Sequence, residues 1–246
     1  GDTVLVDDWY IPETLQKKYN LTKDFVFASL CIYLIKLLLL DEILQKKHEM
    51  MDFGKEIIPY IIKNHQVKFV VHTGYWEDIG TLDNFHKANL DLTFETNGFD
   101  LYDPRWPNLT RPSLLPPTSL KKCDITESII GEGSRLGKCS IKNCVIGQRA
   151  IIGSNSQIEN TVIMGADWIE TQEDRNENIK QQIPNIGIGN NCTINNAIID
   201  KNSRIGNNVT LLNTKKINNI HSNNYVIRDN IIVIPAKAII PDNFTL

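Results

Sequence analysis

Over the second half of the sequence, aliphatic residues return every five or six positions. They stand at Ile125, Ile130, Leu136, Ile141, Ile146, Ile152, Ile158 and Ile163, and again at Ile188, Ile194, Ile199, Ile205 and Leu211. A Gly follows the leading residue at Gly131, Gly137, Gly147, Gly153, Gly189 and Gly206. An amphipathic helix repeats at about 3.6 residues and a half-buried strand at about 2, so neither explains the period. A hexapeptide period specifies a left-handed parallel β-helix. Three short turns make one triangular coil, the aliphatic residue points inward, and stacked coils bury a continuous apolar column. The Gly residues are expected to take a corner conformation that a Cβ would disfavour. Another all-β arrangement is the alternative. Residues 119–246 are assigned to the β-helix.

Residues 167–182 break this path with a charged insertion, Asp-Trp-Ile-Glu-Thr-Gln-Glu-Asp-Arg-Asn-Glu-Asn-Ile-Lys-Gln-Gln. It reads first as a solvated loop thrown out from one corner. A short helix that contacts a neighbouring subunit is the alternative.

The first half alternates strand and helix patterns, as an α/β layer does. Residues 4–22 show no period and read as loop. Residues 25–34 have a buried strand pattern. Residues 37–47 turn helical, with Leu37, Leu40, Ile43 and Leu44 on one face. Asp52 is a candidate N-cap for a helix over 55–64. Residues 67–72 alternate like a strand, 74–81 form a loop, and 82–92 form a second amphipathic helix led by Leu82, Phe85 and Leu92. Pro104, Pro107, Pro112, Pro116 and Pro117 then lock φ and disfavour helix, so 103–118 is read as an extended linker. The division is 1–102, 103–118 and 119–246.

Hydrophobic residues are 41% and charged ones 22%, an ordinary globular balance. The net charge of -3 argues against a nucleic-acid partner. The most apolar run, 30–40, is too short to span a membrane and Lys36 interrupts it. The five cysteines form no CxxC pair, which favours reduced thiols in a cytosolic setting. The chain opens Gly-Asp-Thr-Val without Met or a signal-peptide core, which suggests that more sequence precedes it.

The residues alone assemble no complete active site. The repeat region offers one His, His221, as a base for a hexapeptide acyltransferase. No His/Cys/Asp cluster has metal-site spacing, and no Gly-rich phosphate loop occurs in these residues.

The first half carries a more specific signal. Tyr75-Trp76-Glu77-Asp78-Ile79-Gly80-Thr81, joined to Asn84-Phe85-His86-Lys87-Ala88-Asn89-Leu90, resembles the last conserved loop and helix of sugar-nucleotide pyrophosphorylases. Asp52-Phe53-Gly54 with Ile57-Ile58-Pro59, and Ala28-Ser29-Leu30-Cys31-Ile32-Tyr33, resemble two further blocks. Tyr102-Asp103-Pro104, Leu115-Pro116-Pro117-Thr118, Met164-Gly165-Ala166-Asp167 and Gly187-Ile188-Gly189 narrow the match. In this order they look like the ADP-glucose pyrophosphorylase family, of the cyanobacterial and plant type. The implied fold is the later part of a Rossmann-like nucleotidyltransferase domain followed by the β-helix.

The resemblance implies that glucose 1-phosphate attacks the α-phosphorus of ATP, giving ADP-glucose and pyrophosphate. It implies Mg²⁺ held by two aspartates, of which Asp78 matches the second; without the resemblance, Asp78 reads as a cap for the helix near Leu82. Ser29 matches the glucose 1-phosphate contact, and otherwise reads as a strand serine paired with backbone. Cys31 stands where the family usually has Gly, and a side chain there is expected to crowd the sugar pocket. The family's Gly-rich ATP loop, first metal aspartate and Glu-Lys-Pro block are not among these residues. Residues 1–102 are therefore expected to be a partial layer with exposed strand edges, and no catalytic set is complete.

The resemblance also implies an anionic effector, 3-phosphoglycerate or phosphate. Lys201 matches one effector block and Arg228 lies near the last. Lys237 is displaced by one residue from the family lysine, and strand alternation would turn it to the other face. A homo- or hetero-tetramer in the cytoplasm or a plastid is the family expectation. The alternatives are a non-catalytic regulatory or assembly subunit, and an acyltransferase.

Overall fold

The computed structural model describes residues 11, 13–20, 28–94 and 99–246. Packing divides the chain into two compact units, Gly1–His72 and Thr73–Leu246.

In the first unit, α1 (Glu13–Tyr19) forms where the sequence shows no period. It buries no side chain, which is why no apolar repeat announces it. Glu13 in the first turn and Lys17 and Lys18 in the last complement the helix dipole. Helix α2 (Leu37–Lys46) is where expected, but its buried face differs. Ile43 is buried with Ile35 and Leu39 beside it, whereas Leu37 and Leu44 are exposed. Ile43 packs on Ile57 and Ile61 of the next helical segment. That segment begins as expected at Asp52, whose Oδ1 accepts from the Lys55 N–H at 2.9 Å. Glu56 reaches back to accept from the N–H groups of Met51 and Asp52 at 2.8 and 2.9 Å. These two carboxylates satisfy donors that a helix start leaves open. The first turn, Phe53–Ile57, is π-helical and leads into α3 (Ile58–Asn64).

The two strand expectations are not met. Of residues 25–34, the first three lie outside the described residues. Neither 28–34 nor 67–72 is in a ladder. Leu34 and Val70 point into solvent. A strand needs a neighbour for its N–H and C=O groups, and among the described residues no strand runs beside either stretch.

The second unit opens with the loop before α4 (Leu82–Asp91). Thr81 caps α4, its Oγ1 accepting from the Asn84 N–H at 3.2 Å. His86 and Leu90 form the buried face of α4, which packs on strands Cys139–Ile146 and Ser156–Ile163 of the coils. The motif-bearing helix is thus grouped by packing with the β-helix. Residues 103–118 contain no helix or strand. They are tied to the coils, with the Gly133 N–H donating to Pro116 O at 2.8 Å and Thr118 Oγ1 to Gly131 O at 2.7 Å.

The coils are the left-handed parallel β-helix that the repeat predicts, and their register stacks the leading residues. One ladder runs Leu120, Leu136, Ile152, Ile188, Ile205, Ile240. The second runs Ile125, Ile141, Ile158, Ile194, Leu211. The third runs Ile130, Ile146, Ile163, Ile199, Ile234. These columns meet in one core, in which Ile158 and Ile194 are 0% and 1% exposed. Near the end, Ile220–His221, Val226–Arg228 and Ile231–Ile234 pair antiparallel before the last of them rejoins Thr193–Ile199 in parallel.

The expected role of the repeat glycines is corrected. Left-handed corner positions are filled mainly by Asn, including Asn143, Asn155, Asn160, Asn191, Asn196, Asn208 and Asn243, with φ between 46° and 62°. Asn enters this region more readily than other side-chain-bearing residues. Its amide also bonds to the next coil: Asn155 donates to Asn191, Asn191 to Asn208 and Asn208 to Asn243, at 3.2, 3.0 and 2.9 Å. Gly131, Gly137, Gly147, Gly153, Gly189 and Gly206 do not have positive φ. A Cβ at any of them would lie closer than 3.0 Å to backbone of the neighbouring coil. They are there because the coils approach too closely for a side chain.

The insertion is helical: α5 (Gln172–Gln181) carries a capping box between Thr171 and Asp174 and ends at left-handed Gln182. The loop expectation gives way because Thr171 and Asp174 satisfy the helix start locally.

Candidate nucleotidyl-transfer and effector residues

Ser29 lies in the first unit and Asp78 in the second. Ser29 is exposed. Its Oγ accepts from the Cys31 N–H at 3.2 Å and lies 3.0 Å from the Tyr33 hydroxyl. The serine therefore organises a turn rather than a strand. Cys31 sits in the left-handed region, φ 55°. That conformation supplies a physical reason for Gly at the corresponding family position.

Asp78 is exposed, and its Oδ1 accepts from the Gly80 N–H at 2.9 Å. It shapes the loop that Thr81 then turns into α4, so the helix-cap reading of Asp78 passes to Thr81. Among the described residues no three His, Cys, Asp or Glu side chains gather as a metal site. Mg²⁺ bound to phosphate groups takes only one or two carboxylates. An exposed carboxylate with one oxygen engaged by Gly80 fits that more modest demand.

On the coils, Lys201 Nζ lies 2.8 Å from Asp167 Oδ1. The Lys201 hydrogen bond, then that of Asn202, holds the Asp167 carboxyl below its usual range. Lys237 follows strand Ile231–Ile234 in a turn, at φ 62°. Its N–H donates to the Lys201 carbonyl at 3.0 Å. The expectation that strand alternation turns Lys237 away is therefore corrected: the residue is outside the strand, and its backbone adjoins Lys201 on the neighbouring coil. Arg228 is exposed at the end of Val226–Arg228.

Arg228 also lines a cleft of about 510 Å³. Its lining includes Ile79, Gly80 and Thr81 from the loop before α4, and Ile198 and Val233 from the coils. Its charged lining residues are Asp200, Arg228 and Asp229. The cleft brings the loop next to Asp78 together with Arg228.

Two features were invisible to pattern reading. His86 is buried, with Nε2 2.8 Å from the Asn160 carbonyl. Burial pushes its ring below the usual value, while the Asn160 bond and then Asp83 pull the other way. Thr93 Oγ1 adds a contact to Asn143 Oδ1 at 3.0 Å, so α4 is held to two successive coils. The second is Glu170, which is 4% exposed. It pairs with Arg204 Nη1 at 2.8 Å, and accepts from Asn178 Nδ2 at 2.8 Å and the Ile186 N–H at 2.9 Å. This network anchors both ends of the insertion. A charged residue within a charged run carries no sign that it is the buried one.

Comparison with known proteins agrees with both parts of this architecture. Residues 113–245 match the family described as the GLGC left-handed parallel beta-helix domain. Residues 15–95 match the nucleotidyl transferase family. The chain is 41% identical over 218 residues to the glucose-1-phosphate adenylyltransferase large subunit 1, chloroplastic/amyloplastic, of Zea mays. That alignment takes in 87% of this chain and 42% of the maize protein, so the chain spans about two fifths of the relative it matches. With motifs in both halves and a β-helix of the matching kind, the chain belongs to the glucose-1-phosphate adenylyltransferase, or ADP-glucose pyrophosphorylase, family of nucleotidyltransferases.

Proposed function

We propose that this chain works within a glucose-1-phosphate adenylyltransferase, which joins ATP and glucose 1-phosphate into ADP-glucose and pyrophosphate for starch or glycogen synthesis. The observation that carries the reading is the 41% identity, which extends over 87% of the chain and so through both halves.

In that reaction the Ser29 hydroxyl, whose oxygen already accepts from the Cys31 N–H, donates to glucose 1-phosphate. Asp78, whose carboxylate is oriented by the Gly80 N–H, would be the residue of this chain that holds Mg²⁺. Mg²⁺, when bound, offsets the repulsion between two anionic substrates and stabilises charge on the transferring phosphate. Lys201, Arg228 and Lys237 bind an anionic effector such as 3-phosphoglycerate or phosphate. Lys201 exchanges Asp167 for that anion, and the exposed ion pair is weak enough to permit it.

The chain contains no Gly-rich phosphate loop, and by itself it does not turn over. It acts in an oligomer, a tetramer by family expectation, in a plastid or the cytoplasm. The maize relative is named a large subunit, which favours a regulatory or assembly role beside a second kind of chain. The test is ATP formation from ADP-glucose, pyrophosphate and Mg²⁺, by the purified chain alone and mixed with a complete subunit of the family. No turnover alone, and a changed 3-phosphoglycerate response in the mixture, is the expected pair of results. Turnover by the chain alone overturns its inactivity; failure to associate overturns the subunit role. Acetyl-CoA turnover would revive the acyltransferase reading.

A further inference from the structure

Two cysteines meet where the first coil of the β-helix lies on the second. Cys123 stands one residue before the Asp124↔Ser140 pair, so it stacks opposite Cys139. The two Sγ atoms are 3.5 Å apart. Neighbouring strands lie about 4.8 Å apart, inside the Cα separation of about 4.4–6.8 Å that a disulfide bridges. Closing to a bond of about 2.05 Å asks for about 1.5 Å of sulfur movement. On the third coil, Ser156 takes the position of Cys139. A small inward side chain satisfies the packing there, so thiols are not required by it.

The two sulfurs differ in access. Cys123 is half-buried on the edge coil, and Cys139 is buried. Burial, with the hydrogen bond to Cys123, pushes the Cys139 thiol up to about 12. Exposed Lys121 and Lys122 precede Cys123, and exposed Lys138 precedes Cys139. Cations beside a thiol favour approach of an anionic reagent. Neither cysteine is among the residues proposed for adenylyl transfer.

We propose that Cys123 and Cys139 form a reversible dithiol–disulfide site, which takes oxidising equivalents from an anionic low-molecular-weight disulfide and staples the first coil to the second. The Cys123 thiolate attacks one sulfur of oxidised glutathione, breaking its S–S bond and releasing one glutathione thiolate. The protonated Cys139 thiol then gives up its proton as it attacks the Cys123 sulfur of the mixed disulfide; that S–S bond breaks, and the second glutathione leaves and takes the proton. The two protein thiols lose two electrons, oxidised glutathione gains them, and the two thiol protons end on the two released glutathiones. The bond stays reversible in a reducing compartment, where disulfides are mostly transient and redox-sensing.

The test uses the full chain carrying Cys31→Ser, which removes the exposed thiol of the first unit. It is equilibrated with oxidised and then reduced glutathione, and read by intact mass and non-reducing peptide mapping. The expected product has lost two hydrogens, links the Cys123 and Cys139 peptides, and reverts in reduced glutathione. The further variant Cys139→Ser, tolerated as Ser156 is on the next coil, should stop with one glutathione on Cys123. Cys123→Ser should stay unmodified. A parent chain that stops at the mixed disulfide, reacts first at Cys144 or Cys192, or does not react overturns the proposal.

Discussion

Removing the Glu170 carboxylate should release the insertion from the β-helix. In Glu170→Ala, Arg204 loses its anion and keeps the Pro184 carbonyl, which its Nη1 reaches at 2.7 Å. The buried Ile186 N–H loses its acceptor, and Asn178 keeps one of two, the Asn185 Oδ1 at 2.9 Å. Breaking a buried ion pair by deleting one partner costs about 3–5 kcal/mol. Here the side chains are 17% exposed for Arg204 and 1% for Glu170, so partial hydration of the guanidinium places the cost near the lower bound, about 3 kcal/mol. Replacing both members by apolar groups, Glu170→Leu with Arg204→Met, leaves no orphaned charge and should cost about 2 kcal/mol less than the two single changes summed. Urea unfolding read by tryptophan fluorescence gives the free energies. Hydrogen exchange along α5 shows whether the loss is local. Additive costs in the double variant, or unchanged exchange in α5 of Glu170→Ala, would refute the anchoring role.

Two further outcomes follow from the packing of the coils. Gly153→Ala would place a Cβ closer than 3.0 Å to the Gly189 and Asn190 backbone; the coils must part, and a loss of about 1–3 kcal/mol is expected in urea unfolding, whereas an unchanged midpoint would mean that the coils are not so close. Burial lowers the His86 ring below its usual 6.5, so its contribution is present above pH 6.5 and lost as pH falls through the lowered folded value, because the unfolded ring takes up a proton that the folded one resists. Exchange protection of α4 should therefore fall on acidification in the wild-type chain and less in His86→Gln, and equal pH dependence in the two would sink the assignment.

The β-helix was legible because its period is a property of the chain. Each leading Ile or Leu faces the same core, so spacing alone identifies the inward residues, from Leu136 to Leu211. The Asp52 cap and α2 were legible for a similar reason, since the atoms involved are near neighbours in sequence. The α2 face was misread because the residues that bury it, Ile57 and Ile61, come from a different helical segment. The strand patterns at 28–34 and 67–72 promised half of a ladder, and a pattern cannot supply the neighbouring strand.

The candidate site divides in the same way. Ser29, Asp78 and Lys201 were singled out as candidates through motifs, which record residue types at fixed spacing. Their partners were not, because Lys201 meets Asp167 across 34 positions and His86 meets Asn160 across 74. The glycines mark the boundary most clearly. Their recurrence is written in the sequence, but its cause is the backbone of the next coil, which arrives only when the coils stack. Sequence by itself determined the repeat, its inward column and the family; tertiary structure decided which Asn turn the corners, which Glu is buried and which two cysteines touch, because each depends on atoms that only folding brings within contact distance.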